Sequence, residues 1–279
     1  MGLRVGSNVP AYRMQQNLRI TRRDLDRAME RLSTGYRINK AADDVAGTAI
    51  SDTLRGQMKG MSKASQNAQD GISLMQVAEG SLGEVNNILV RMRELAMQAA
   101  SDTVGDRERN LIEIEYSHML EEIDRIAETT NFNGLNLLSG KGDTMEFQVN
   151  TKNSPLGDRV SFDGGKADVR TITMGLDMTG AMDKQTAQQS LEVIDQAIKH
   201  VVATRSEFGA LANRLNSTIE NLGSGLENSA AAHSRIRDAD IAVESSELAK
   251  RNIMLQAGTA MLAQANQQGN LALNFLNKG

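Results

Sequence analysis

The chain has 279 residues, 40% of them hydrophobic but only 3% aromatic, with no Trp, no Cys, two prolines and a formal net charge of −4. So few large side chains argue against a wide globular core. The lack of cysteine excludes disulfides and thiolate metal sites, and the scarcity of proline leaves long segments free to be helical. Residues 1–40 carry nine Lys/Arg against three acids, but these alternate with Leu at helical spacing and lack aromatic stacking partners. They read as a solvated helix face, not a nucleic-acid arm.

In chain order, MGLRVGSNVPAYRMQQ lacks the apolar stretch of a secretory signal. Met14, Leu18, Thr21, Leu25, Ala28 and Leu32 then form a first helical stripe. In LSTGYRINKAADDVAGTAIS (32–51), Gly35 closes that helix and Asp43-Asp44 open the next, where a carboxylate favours the positive end of the helix dipole. The stretch is a joint. No partner acids stand at calcium-loop spacing.

The strongest signal follows. Ile50, Leu54, Gln57, Met61, Ala64, Ala68, Gly71, Met75, Ala78, Leu82, Val85, Leu89, Met92, Ala96 and Ala99 alternate steps of four and three. A helix over about 44–100 would be ~85 Å long at 1.5 Å per residue. Ile112, Tyr116, Met119, Ile123 and Ile126 give a shorter stripe. Ala187, Leu191, Ile194, Ile198, Val201, Arg205, Phe208, Ala212, Leu215, Ile219, Leu222 and Leu226 give another long one, with Arg205 its one break. Helices that bury such seams pack with a left-handed twist. Between about 130 and 184 the period changes. NFNGLNLLSGKGD is rich in turn residues, MEFQVN and RVSFDG alternate as half-buried strands, and ADVRTITMGLDM (167–178) reads as a further strand. The last thirty residues are apolar on too much of their surface for one narrow seam, so they must be buried elsewhere, between copies. The predicted class is mainly α: a long antiparallel heptad-helix rod, a coiled-coil bundle, with a small mid-chain β-hairpin region.

No catalytic constellation emerges. His118, His200 and His233 form no ligand spacing, SGKG (139–142) lacks the first Gly and the Ser/Thr of a phosphate loop, and Asn216-Ser217-Thr218 lies inside a helical stripe. The chain is expected to be no enzyme and to hold no cofactor or metal.

Four collinear stretches carry a family resemblance. ERLSTGYRINKAADDVAGTAISDTLR (30–55), NAQDGISLMQVAEGSLGEVNNILVRMRELAMQAAS (67–101), EIDRIAETTNFNGLNLLSG (122–140) and ESSELAKRNIMLQAGTAMLAQANQQGNLALNFL (244–276) resemble bacterial flagellin. About 45 residues stand where many flagellins carry large outer domains, so the chain resembles a short form. The resemblance implies a secreted, extracellular structural subunit. It would self-assemble into the helical flagellar filament for swimming motility, after export unfolded through the flagellum's own channel. Residues 1–40 with 240–279 would form an inner, lumen-lining layer of terminal helices, and 41–239 a rod of long helices with β-hairpins at about 140–180. Leu18, Leu25, Leu32, Leu255, Leu262, Leu271, Leu273, Phe275 and Leu276 would serve self-assembly. Gly35, Asp43, Asp44 and Gly47 would form the connector between layers. Arg91 and Leu95, four apart on one helix face, with Glu115 on the next helix, would form the patch recognised by the flagellin-sensing Toll-like receptor. Further implied partners are an export chaperone, and cap and hook-associated proteins. Two alternatives stand beside this: a hook–filament junction protein of the same broader family, and a non-flagellar coiled-coil adaptor.

Overall fold

The structure, a computed structural model, describes residues 8–142, 144–154 and 157–276, with side chains as far as 267. The order is α1 (Val9–Thr34), α2 (Val45–Ala99), α3 (Asp106–Thr129), β1 (Asn131–Phe132), β2 (Leu135–Asn136), β3 (Thr144–Gln148), β4 (Arg159–Asp163), α4 (Thr171–Met174), α5 (Lys184–Arg237) and α6 (Ile241–Leu276). The fold is mainly α, built on long helices as the heptads predict. Two compact units divide it: Met1–Gly56 with Asn228–Gly279, and Gln57–Glu227.

In the second unit α2 and α5 run antiparallel. Arg93 pairs with Asp195 at 2.7 Å and Glu79 with Arg205 at 3.6 Å. Helix α3 returns along α2, with Arg109 Nε donating to the Ala99 carbonyl at 3.0 Å and Arg91 pairing with Glu115 at 2.9 Å. The predicted α2 stripe is buried from Ala64 to Ala99, but Ile50 and Gln57 at its start are exposed. Leu74 and Leu95, outside the stripe, are buried beside it. The reason is that α2 has two helical neighbours here, α5 and α3, so its buried face is wider than a seam against one partner.

On α5 the buried positions are Ala187, Ser190, Ile194, Ala197, Val201, Thr204, Phe208, Leu215 and Leu222. Six predicted positions coincide with these, and three are shifted by one residue. Ser190, Ala197 and Thr204 hold the seam where Leu191, Ile198 and Arg205 were expected. Ser190 and Thr204 enter a buried face because their hydroxyls donate to the carbonyls of Thr186 and His200, at 2.8 and 3.0 Å.

The β3–β4 hairpin pairs antiparallel, Met145 opposite Phe162 and Phe147 opposite Val160. Its inner residues Val149 and Val160 pack with Ala68 and Leu215. A Cβ on Gly71 would lie 3.1 Å from both Leu215 and Phe147, so at this gap in the stripe the hairpin and α5 both approach α2 closely. The β1–β2 hairpin turns at Asn133 and Gly134, both at positive φ, the arrangement an Asn-Gly turn favours. Residues 167–178, expected as a strand, instead form α4 flanked by 3₁₀ turns. Asp124 of α3 caps α4, accepting from Thr171 N at 2.8 Å and Thr171 Oγ1 at 2.7 Å, and Gly175 ends it in the left-handed conformation. Those long-range and capping contacts override the local β propensity.

In the first unit α1 and α6 pair antiparallel. Asn8 caps α1 by accepting from Ala11 N, and its Nδ2 donates to the Ala265 carbonyl at 3.0 Å. Asp24 meets Arg251 at 3.1 Å and Arg31 meets Glu244 at 2.9 Å.

Candidate assembly surfaces

The α1–α6 seam is made by Ala11, Leu18, Leu25, Ala28 and Leu32 on one helix and Leu255, Gly258 and Leu262 on the other, buried or half-buried in each case. Leu18 is so close to Gly258 that a Cβ there would lie 2.7 Å from it. Leu18, Leu25, Leu32, Leu255 and Leu262, expected at contacts between copies, thus face a helix of their own chain. Leu271, Leu273, Phe275 and Leu276 lie in the helical backbone of α6, but their side chains fall outside the described residues. What remains open to other molecules is the outer surface: Tyr12 (75% exposed), Ile20 and Met29 on α1, with Ile253 (66% exposed), Met254 and Met261 on α6. Those are the residues that stripe-reading misses, because they lie off the seam.

The connector is a double one. Gly35 ends α1 at φ 74°, its N–H donating to the Arg31 carbonyl at 2.9 Å. Arg37 N then donates to the Arg237 carbonyl at 2.7 Å and Ala239 N to the Gly35 carbonyl at 2.9 Å, so the chain leaving α1 pairs with the chain entering α6. The Arg237 guanidinium lies 4.9 Å from the centre of the Tyr36 ring. Asp43 Oδ2 accepts from Lys40 N at 3.0 Å and Asn39 N at 3.3 Å; the Lys40 bond is foremost in holding its pKa below the usual carboxylate value, against the opposing effect of burial. Asp44 caps α2, its Oδ1 accepting from Gly47 N at 2.8 Å. Gly47 is buried, and a Cβ there would come within 2.5 Å of Asp44 Oδ2 and 2.7 Å of Ile38 Cδ1. The return strand of this joint, Asp238 to Asp240, has a sequence signal of its own. Asp240 accepts from Ala242 N and Val243 N, an N-cap placed before the apolar run of α6.

Of Arg91, Leu95 and Glu115, the structure brings two together at the surface. Arg91 and Glu115 are exposed and paired, and Arg91 also reaches Glu94 at 3.0 Å; Glu115 first, then Glu94, raise its pKa further. Leu95 is not on this surface. It is 2% exposed and belongs to the main core. Its place four residues after Arg91 turns it toward α3, the second neighbour of α2.

Among the described residues no group of His, Asp and Glu could hold a metal ion, and no helix is long and apolar enough to cross a membrane. His200 Nε2 lies 3.1 Å from the Asp168 carbonyl.

The model of the bacterial flagellin N-terminal helical region matches residues 5–143, and that of the bacterial flagellin C-terminal helical region matches 191–276. A flagellin of Halalkalibacterium halodurans is 44% identical over 98% of this chain and 99% of its own length. The Bacillus subtilis flagellin is 41% identical over 98% of this chain and 100% of its own. The crystal structure of Bacillus cereus flagellin is 33% identical, with a TM-score of 0.51 over 60% of this chain and 94% of that one.

Proposed function

This chain belongs to the bacterial flagellin family and is a subunit of the flagellar filament, and from that premise we propose that copies meet through the outer faces of α1 and α6. One observation carries the reading: Tyr12, Ile20, Met29, Ile253, Met254 and Met261 are exposed although their helices already bury a seam against each other. Large apolar side chains left exposed on a helix pair that has no other layer over it are the surface available for association. The boundary between layers is proposed at the helix breaks, so that 1–40 with 240–279 line the lumen and 41–239 lie outside them. Leu271, Leu273, Phe275 and Leu276 extend the same inner layer. The test is Ile253→Asp with Met261→Asp. Assembly above a critical concentration should be lost while thermal melting of 57–227 stays unchanged; filaments forming at the wild-type concentration would reject the outer-face reading.

The chain is exported unfolded through the flagellar channel, kept from premature assembly by an export chaperone and added to the filament beside cap and hook-associated proteins. A chain free of cysteine suits that route, since no disulfide can lock it before passage. The monomer is recognised by the flagellin-sensing Toll-like receptor through Arg91 and Glu115, without Leu95. Titrating monomer against the receptor ectodomain should show Arg91→Ala with Glu115→Ala losing ~1–3 kcal/mol per charge-assisted contact; equal binding by the variant would remove this surface.

A further inference from the structure

Beside the connector, Ile38, Asn39, Thr48, Ser51, Asp52, Arg55 and Arg237 line a cleft of about 220 Å³. Two guanidiniums face one carboxylate: Asp52 pairs with Arg55 at 3.0 Å and lies 3.9 Å from Arg237. The charge of the lining is therefore positive by one. Ser51 is 1% exposed, and its hydroxyl has no hydrogen-bond partner. The Arg237 Nε–H is buried and equally without a partner, although the rest of that guanidinium lies against the Tyr36 ring. Neighbouring hydroxyl and amide groups are otherwise engaged: Thr48 Oγ1 donates to the Asp44 carbonyl and Asn39 Nδ2 to the Tyr36 carbonyl. Buried donors left without acceptors are costly, and a hydroxyl and a guanidinium N–H on two residues that line one cleft call for the same kind of group.

We infer that this cleft binds a small oxyanion, which accepts from Ser51 Oγ–H and Arg237 Nε–H and is held by the excess positive charge. The occupant is a free inorganic oxyanion or the carboxylate of an acidic side chain on an adjacent copy; the second source rests on the filament reading above. Either would fasten α2 to the end of α5 beside the joint that leads to the terminal helices. The opposed alternative is a buried hydroxyl that stays without any partner, for which Ser51→Ala is neutral or stabilising.

The experiment follows thermal dissociation of filaments of the full chain against sodium phosphate, with ionic strength held constant by sodium chloride. Wild type, Ser51→Ala and Arg237→Gln are compared, and electron microscopy of the same samples separates failure to assemble from failure to bind. For a free anion, the dissociation temperature rises saturably with phosphate in wild type, and the half-saturating concentration moves up by roughly tenfold or more in both variants, as loss of a charge-assisted contact implies. For a carboxylate from an adjacent copy, wild type shows no saturable rise, and both variants dissociate at lower temperature in either salt. The inference is overturned if phosphate has no saturable effect and Ser51→Ala filaments are as stable as wild type or more so. Ser51→Ala decides, because Arg237→Gln also removes the contact with Tyr36.

Discussion

At the scale of single residues, two glycines in the connector act for different reasons, and substitution separates them. Gly35 has open space around it but sits at φ 74°; Gly35→Ala should cost about 1 kcal/mol, and Gly35→Asn less, since Asn tolerates the left-handed region. Gly47 has ordinary backbone and no space. Gly47→Ala should cost about 1–3 kcal/mol by forcing Asp44 off its cap or Ile38 out of its packing, read as a rise in the critical concentration for assembly. Neither distinction is legible in TGYRINKAADDVAG, which announces a joint but not which glycine is crowded. Asp168 gives the pH-dependent case. Burial alone would raise its pKa, but the guanidinium and backbone N–H of Arg170 and the hydroxyl of Thr173 overcome this and hold it at about 2, against 3.8 for the free side chain. A carboxylate with a lowered folded-state pKa stabilises the fold above its unfolded value, and that contribution fades as pH falls from about 4 through 2. Asp168→Asn should therefore destabilise residues 57–227 by on the order of 2 kcal/mol at pH 7 and by almost nothing at pH 2, in chemical denaturation run at both.

Among the elements, legibility follows how many neighbours a helix has. Helix α2 was readable because its seam is built of Met, Leu and Ala that look apolar one by one. Helix α5 was readable less fully, because Ser190, Ala197 and Thr204 belong to its buried face while the larger Leu191, Ile198 and Arg205 beside them drew the stripe one residue away. The same blindness to partners hid the second flank of α2, where Leu74 and Leu95 are buried, and so placed Leu95 at an exposed edge. Residues 167–178 failed differently. Their β-branched composition pointed to a strand, while the cap from Asp124, over forty positions away in sequence, settled a helical turn. The shift on α5 is open to a direct comparison. If Arg205 stood in the seam, Arg205→Leu would stabilise the bundle. Because it lies outside and pairs with Glu79 at 3.6 Å, the substitution should change stability by less than about 0.5–1 kcal/mol. Ala197→Leu, at a position the heptad leaves out, should cost about 1–3 kcal/mol by overpacking. Melting temperatures in the opposite order would restore the unshifted seam.

Across the whole molecule, core material is unevenly divided. Residues 57–227 hold the large fully buried side chains, among them Met75, Leu82, Leu89, Tyr116, Ile123, Ile194 and Phe208. In α1 the buried residues are only Ala11, Leu25 and Ala28, and the facing seam of α6 includes Glu244, half-buried Arg251 and half-buried Gly258. Two helices sharing one narrow seam, interrupted by charge and glycine, gain little from burial to offset the chain entropy lost on folding. The ion pairs of Arg31 with Glu244 and Asp24 with Arg251 set the register of the pair, but partly exposed charges add little net stability. The terminal pair should therefore depend on contacts with other copies, whose binding stabilises the folded form by mass action. Hydrogen exchange should find amides over 9–34 and 241–267 weakly protected in the isolated chain, with strong protection over 74–99, 112–127 and 187–215. On assembly the terminal amides should slow to rates near those of the second unit, while the latter change little. Strong terminal protection in the isolated chain would mean that α1 and α6 hold each other unaided, and that their exposed apolar residues serve something other than the folding of the terminal helices.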